Sequence, residues 1–275
     1  MTFIKLSIAL FLSAILTHSV SAQSSLMSFN IRYDNQDDGK NAWTERKLDL
    51  VNLIKSENPE ILCIQEGLYH QLMFIQDELD GYSFTGVGRE DAQTGGEYCA
   101  IFYPYNKLRL NSSFTYWLSP TPEVVSIGWD AALERIVTYA QFSDLQGGNT
   151  IHVFNTHFDH LGEQARENSA KLILSLIKKH TSENDKIILA GDLNTEADSE
   201  PVKILKGYLS DSAEKHFGGS SPEEGTFNGF DETEIPRRID YIFTKNVIVS
   251  TYKVIKTRRD NNLFISDHFP VMIRF

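Results

Sequence analysis

The chain has 275 residues, enough for one large domain or two small ones, and its 41% hydrophobic and 23% charged residues favour a soluble globular protein. Its formal net charge of −11 excludes long nucleic acid as a default partner. An acidic surface repels a polyanion and cannot supply the counterion release that drives non-specific binding.

Residues 1–22 have the layout of a secretory signal: a basic start at Lys5, an apolar stretch from Leu6 to Leu16, and small residues at Val20, Ser21 and Ala22. The stretch is too short to span a membrane comfortably, and the competing reading is a buried N-terminal helix or strand. Cleavage after Ala22 would remove Lys5 and no acid, so −11 becomes −12. Export to periplasm or medium is expected. No repeat or Ser/Pro linker divides residues 23–275, which read as one domain and a monomer without a transmembrane segment.

In chain order, Leu26–Ile31 reads as a strand, and Trp43–Glu57 as a helix with Leu48, Val51 and Ile54 on one face and Pro59 beyond its end. Glu60–Gln65 is a strand, Tyr69–Leu79 a weaker helix, and Tyr98–Tyr103, Ile136–Phe142 and Ile151–Thr156 are strands. The clearest helix starts near Gly162, carries Ala165, Ser169, Leu172, Ile173, Leu176 and Ile177 at 3–4 spacing, and ends in Lys178, Lys179 and His180, where cations suit the dipole. Strands follow at Lys186–Ala190, Ile239–Phe243 and Val247–Ile255, and a last one after His268. Many strands and few helices point to two packed sheets with helices outside. Cys63 and Cys99 both lie in strand runs. Counting alternation from Glu66 and Glu97 puts the thiols on opposite faces, so two buried free thiols are expected.

The chemistry sits where strands stop. "ILAGDLN" ends an apolar run in Gly191 and then presents Asp192 and Asn194, which in an extended segment project to one side. The competing reading is a turn that uses Asp and Asn for backbone reasons. Repetition favours chemistry: Asn30, Glu66, the Asn155/His157 pair, Asp240 and the Asp267/His268 pair all close or interrupt segments that read as core. Burying so many polar groups without partners would be costly, so one shared site is the better explanation. Oxygen donors dominate and no cysteine takes part, which points to Mg²⁺ or Mn²⁺ instead of structural zinc.

The ordered set "SFN", "IQE", "GEYCAIFY", "NTHFDH", "GDLN", "GTFNGF", "RIDYIF" and "SDHFPV" resembles the endonuclease/exonuclease/phosphatase superfamily from about Leu26 to Phe275. That superfamily includes deoxyribonuclease-like nucleases, abasic-site endonucleases, deadenylases, neutral sphingomyelinases and inositol-phosphate phosphatases. The resemblance implies a four-layer α/β/β/α sandwich of two mainly antiparallel sheets, with phosphate-ester hydrolysis assisted by a divalent metal. Carried over, it makes Glu66 the principal metal ligand, with Asn30 beside it and Asp267 on the metal side. Asp192 would orient or deprotonate the attacking water, with Asn194 as its partner. His268 would face phosphate with its other nitrogen held by Asp240, and His157 would be a second histidine oriented by Glu97. Arg135, Asn155 and Asn228 are candidates for binding substrate.

Several of these residues have plainer readings. His157 would serve as a structural histidine, Asn228 as a turn residue and Arg135 as a surface partner of Glu134 or Asp130. Trp43 and Trp129 fit core packing, and Asp37 and Asp38 a solvated loop. The chain also departs from its look-alikes. Gly67, Leu68, Gly95 and Gly96 stand where pancreatic-type nucleases carry Arg and Tyr into a DNA groove, and Arg32 stands where abasic-site enzymes carry an acid. A small phosphomonoester or phosphodiester is therefore expected ahead of DNA or RNA. A secreted nuclease is the first alternative, and a non-catalytic phosphate-binding module one of another class.

Overall fold

The computed structural model describes residues 24–219, 225–233 and 237–275, so the leader read over 1–22 lies outside the described residues. Two parallel strand pairs organise the fold. β1 (Ser25–Asn30) runs parallel to β2 (Ile61–Gly67), and helix α1 (Trp43–Glu57) makes the crossover that parallel neighbours require. The unit recurs where α3 (Glu163–His180) joins β7 (Thr150–His157) to β8 (Lys186–Asp192).

Antiparallel strands extend each pair into a six-stranded sheet. The first has the order β11 (Thr251–Val254), β12 (Val271–Arg274), β1, β2, β4 (Tyr98–Pro104), β3 (Tyr82–Thr85). The second runs β5 (Leu108–Trp117), β6 (Ile136–Asp144), β7, β8, β10 (Asp240–Lys245), β9 (Ser210–Asp211). Helices α2 (Tyr69–Glu78), α4 (Glu200–Lys206) and α5 (Ser212–His216) and a 3-10 helix at Gln36–Asn41 complete the elements among the described residues.

Three apolar layers bind these elements into the four-layer α/β/β/α sandwich. Met27, Phe29 and Leu62 pack outward against Leu50, Val51 and Ile54 of α1 and Leu72 and Ile75 of α2. Leu26, Ile61 and Ile101 face Phe142, Val153, Ile188 and Ile242 between the sheets. Phe154, Leu189 and Phe243 pack on the far side against Ile173 and Ile177 of α3 and Leu205 of α4. Central strands are covered on both faces, which explains unbroken apolar runs such as Ile187–Ala190. Each such side chain contributes about 1.5–3 kcal/mol on burial.

One strand is added to those expected, and two expectations are corrected. β5 went unread because it is an edge strand whose "LRLNSSFTYW" leaves alternate residues in solvent and looks like a polar loop. In α1, Leu48 is 61% exposed, and the inward face carries instead Trp43, Leu50, Leu53 and a fully buried Arg46. Cys63 and Cys99 are indeed buried and free, but the register pairs Cys63 with Ile101 and Gln65 with Cys99, so both thiols share one face of the sheet. The parity count fails because the β2–β4 register slips at Glu66, a β-bulge that breaks the alternation.

Candidate active site

The carboxyl ends of both parallel pairs meet at one edge of the sandwich, where open α/β sheets place their ligands. Asn30 ends β1 and Glu66 lies at the end of β2. His157 ends β7 and Asp192 ends β8, the two being register partners. Asp240 opens the antiparallel β10 opposite Asp192, and Asp267 and His268 precede β12, so all reach the same edge. Gly191 permits this approach: its φ is 149°, and a Cβ there would lie 2.0 Å from the Thr156 carbonyl oxygen.

Asp192 Oδ2 is the hub. The Asn30 amide donates to it at 3.0 Å and to Glu66 Oε1 at 3.0 Å, which ties the first sheet to the second. His157 Nε2 lies 3.5 Å from the same oxygen and His268 Nε2 3.7 Å. The Asn194 N–H donates to Asp192 Oδ1 at 2.8 Å. Asn194 converges with Asp192 through a turn, at φ 48°, and not through extended alternation as its spacing suggests. Its amide lies 3.0 Å from His157 Nε2 and donates to the Phe158 carbonyl at 3.0 Å. Glu66, at φ 61°, accepts the Tyr33 N–H at 3.1 Å.

Electrostatics separate the two histidines. Burial opposes the charged form of His268, but Asp240, whose Oδ2 is 2.8 Å from Nδ1, and then Asp192 outweigh it and raise the imidazole to about 10. His157 goes the other way. Its nitrogens face donors, Arg135 Nη1 at 3.2 Å and the Asn194 amide at 3.0 Å. Burial, then the charges of Arg135 and Arg89, drive it well below the ordinary value. Asp192 is pushed up to about 7 by burial and then by Asp240.

Several expected contacts are not made. Glu97 makes no hydrogen bond to His157: it stands at an ion-pair distance of 3.9 Å from Nδ1 and is gripped in two-pronged fashion by Arg89 at 2.7 and 2.8 Å. Arg135 pairs with neither Glu134 nor Asp130, and its fork is taken by Asp159 at 3.3 Å, His157 and His160 Nδ1 at 3.0 Å. Asn155 lies between the sheets, accepting from Gln65 Nε2 at 2.6 Å and donating to the Ile64 and Ala100 carbonyls, so no amide atom is left for substrate. Asn228 donates to the Ser266 carbonyl and accepts the Phe230 N–H, the bonds of a turn asparagine. Trp43 is core, whereas Trp129 is 39% exposed. Sequence reading missed Arg89 and the role of Asp38, a clamp on Arg32 at 3.0 and 3.1 Å. Nothing local in the sequence marks either, because what makes them matter is the partner.

A model of the Endonuclease/Exonuclease/phosphatase family matches residues 27–268. The chain belongs to this family. It is 33% identical to a family protein from Bacteroides vulgatus whose crystal structure superposes with a TM-score of 0.85, covering 92% of this chain and 98% of that one. A mannosyl-6-phosphatase from Bacteroides thetaiotaomicron is also 33% identical, with a TM-score of 0.83 over 91% of this chain and 98% of its own. An uncharacterized protein of Acanthamoeba polyphaga mimivirus, L388, is 31% identical over 256 residues, 85% of this chain and 92% of that protein. Members of the endonuclease/exonuclease/phosphatase family act on phosphate esters as phosphoesterases or nucleases and use divalent metals.

The donor set here fits such an ion. Ligand atoms of Glu66, His157 and Asp192 lie within 4.8 Å of one another, as do those of Asp192, Asp240 and His268. Carboxylate oxygens supply most of these positions, which suits a hard divalent cation. Asp267, expected among the ligands, belongs to neither group. Among the described residues, no helix is long and apolar enough to cross a membrane.

Proposed function

We propose that this protein is an exported, Mg²⁺- or Mn²⁺-dependent phosphatase that hydrolyses a small sugar phosphomonoester with an activated water. The observation that carries the reading is the meeting of Asn30, His157 and His268 on Asp192 Oδ2 beside Glu66. Export rests on the leader-like residues 1–22. The substrate class rests on the similarity to a mannosyl-6-phosphatase and on the acidic charge balance, which disfavours a polyanion.

Glu66, with Asn30 and Asp192 beside it, would hold the divalent ion, which supplies charge neutralisation on phosphate and a lowered pKa for water when bound. Asp192 Oδ2 orients the attacking water and takes its proton as the new P–O bond forms. The amide of Asn194 holds the water or a phosphoryl oxygen. His268, kept charged by Asp240, faces the phosphoryl oxygens and stabilises the charge that gathers there as the bond to the sugar oxygen breaks. The departing alkoxide takes up a proton from water, and Asp192 gives the proton it accepted back to solvent, leaving inorganic phosphate and the free sugar.

The test is a panel with Mg²⁺ or Mn²⁺: mannose 6-phosphate, glucose 6-phosphate, a nucleoside monophosphate, an aryl phosphodiester and plasmid DNA, each with wild type and Asp192→Ala. Loss of the acid–base group is expected to lower turnover of a sugar phosphate by about 10²–10⁴. If wild type turns over none of them faster than Asp192→Ala, the reading is lost, and plasmid cleavage in preference to monoesters would make the protein a nuclease.

A further inference from the structure

The β5–β6 connection, residues 118–135, stands at the catalytic edge. Trp117 pairs with Ile136, Val137 with Thr156 and His157 with Asp192, so this loop leaves and re-enters the sheet beside the site. It has neither helix nor strand and exceeds the roughly 12–15 residues beyond which an irregular loop usually has a function. It is nonetheless firmly held. Gly128 packs so closely on Leu118 that a Cβ there would lie 2.0 Å from the Leu118 carbonyl oxygen. Asp130 packs likewise on Gly162, two residues past His160, where a Cβ would lie 2.7 Å from the Asp130 carbonyl oxygen. The Ala132 N–H donates to Asp159 Oδ2 at 3.1 Å, the oxygen that also accepts from Arg135 Nε.

Trp129, between these anchors, is exposed with a left-handed backbone, at φ 53°. A lone apolar side chain in solvent is ordinary, but a bulky one at positive φ is uncommon, and here a rigid loop maintains it. His160 supplies a second group. Its Nδ1 faces Arg135 Nη2 at 3.0 Å, and a guanidinium can only donate, so Nδ1 accepts and the ring hydrogen resides on Nε2. That nitrogen takes no partner among the described residues, and the side chain is 47% exposed. The rim beyond His157 thus offers a flat apolar face and a fixed N–H donor. An indole suits the C–H face of a pyranose, and the donor suits a sugar hydroxyl. We propose that Trp129 and His160 form a sugar subsite, which selects a pyranose ring on the phosphate over an open-chain alcohol. This rests on the phosphatase reading above and adds which residues choose the substrate.

The experiment compares kcat/KM for mannose 6-phosphate with that for glycerol 3-phosphate, which has no ring, using the full chain with Mg²⁺. Wild type is expected to favour the sugar ester. Trp129→Ala should lower that preference about tenfold and His160→Ala about fivefold, both through KM for the sugar ester, whereas Trp129→Phe keeps the aromatic face and the preference. Binding is read separately by fluorescence in Asp192→Ala, where the ester survives. Trp43 and Trp117 are buried, so mannose 6-phosphate should change the emission of Trp129, inorganic phosphate should not, and Asp192→Ala/Trp129→Phe should lose the response. A preference unmoved in either alanine variant, as a merely structural role would leave it, or a response that persists without Trp129, would overturn the inference. A Trp129 response to mannose 6-phosphate in a protein whose wild type hydrolyses no ester would leave the inference standing and sink the proposed function. Sugar phosphates hydrolysed with the preference unmoved would do the reverse.

Discussion

A single oxygen of Asp192 faces one amide and two imidazoles of opposite character. His268 is held charged by Asp240, while burial, and then the charges of Arg135 and Arg89, hold His157 neutral. In Asp240→Asn the imidazole of His268 should titrate well below its present value of about 10, toward the ordinary range, which ¹⁵N NMR of the ring would read directly. The stability it contributes is full below the unfolded value of about 6.5 and fades as pH rises through about 10, so the variant should lose most stability near neutrality and least in strong alkali. An unshifted ring would mean that Asp240 is not what holds the proton. At this scale much of the site was legible, because Asn30, Glu66, Asp192, Asp240 and His268 interrupt apolar runs where a polar residue has no packing reason to be. Pairings were less so. Glu97 and His157 are both near the edge, yet Arg89 takes the acid and Arg135 the imidazole, and neither arginine carries a local mark of its partner.

Among the elements, α3 depends on acids outside itself. Gly162 at its start has no side chain to cap it, so Asp130, from the β5–β6 connection, accepts the Gln164 and Ala165 N–H groups, and Asp159 accepts those of Leu161 and Gly162. Burial opposes the charge on Asp159, but these amides, the Ala132 N–H and Arg135 prevail and hold its carboxyl at about 2. A depressed value means stability present above the unfolded value near 4 and lost as pH falls through about 2. Asp159→Asn should therefore be less stable by about 2 kcal/mol at pH 7 in urea unfolding, with the gap closing between pH 4 and 2. A gap that stays constant across that range would show that packing, not charge, is lost. Buried strands and the long helices were readable from period and termini. The edge strand β5 and the bulge at Glu66 were not, since the first buries too little to show a pattern and the second breaks the period on which strand reading depends.

In the whole molecule, the ligand set forms only when two sheets dock, Asn30 and Glu66 coming from one and His157 and Asp192 from the other. An ion bound across that junction favours the native state alone. Mg²⁺ at about 100 times its dissociation constant should add about 2.7 kcal/mol, seen as a rise in Tm that a chelator reverses and that Glu66→Gln lacks. Equal Tm values with Mg²⁺ and with chelator would deny a native ion site. Asn155, which sequence reading sent toward substrate, has its place here. It projects from the second sheet into the first, bonded to the Gln65 side chain and to the Ile64 and Ala100 carbonyls, one residue behind Glu66 and two behind His157. It acts as a dowel between two plates: sliding one sheet past the other would strand three buried partners at once, so alignment of the two half-sites is enforced by a residue buried between them.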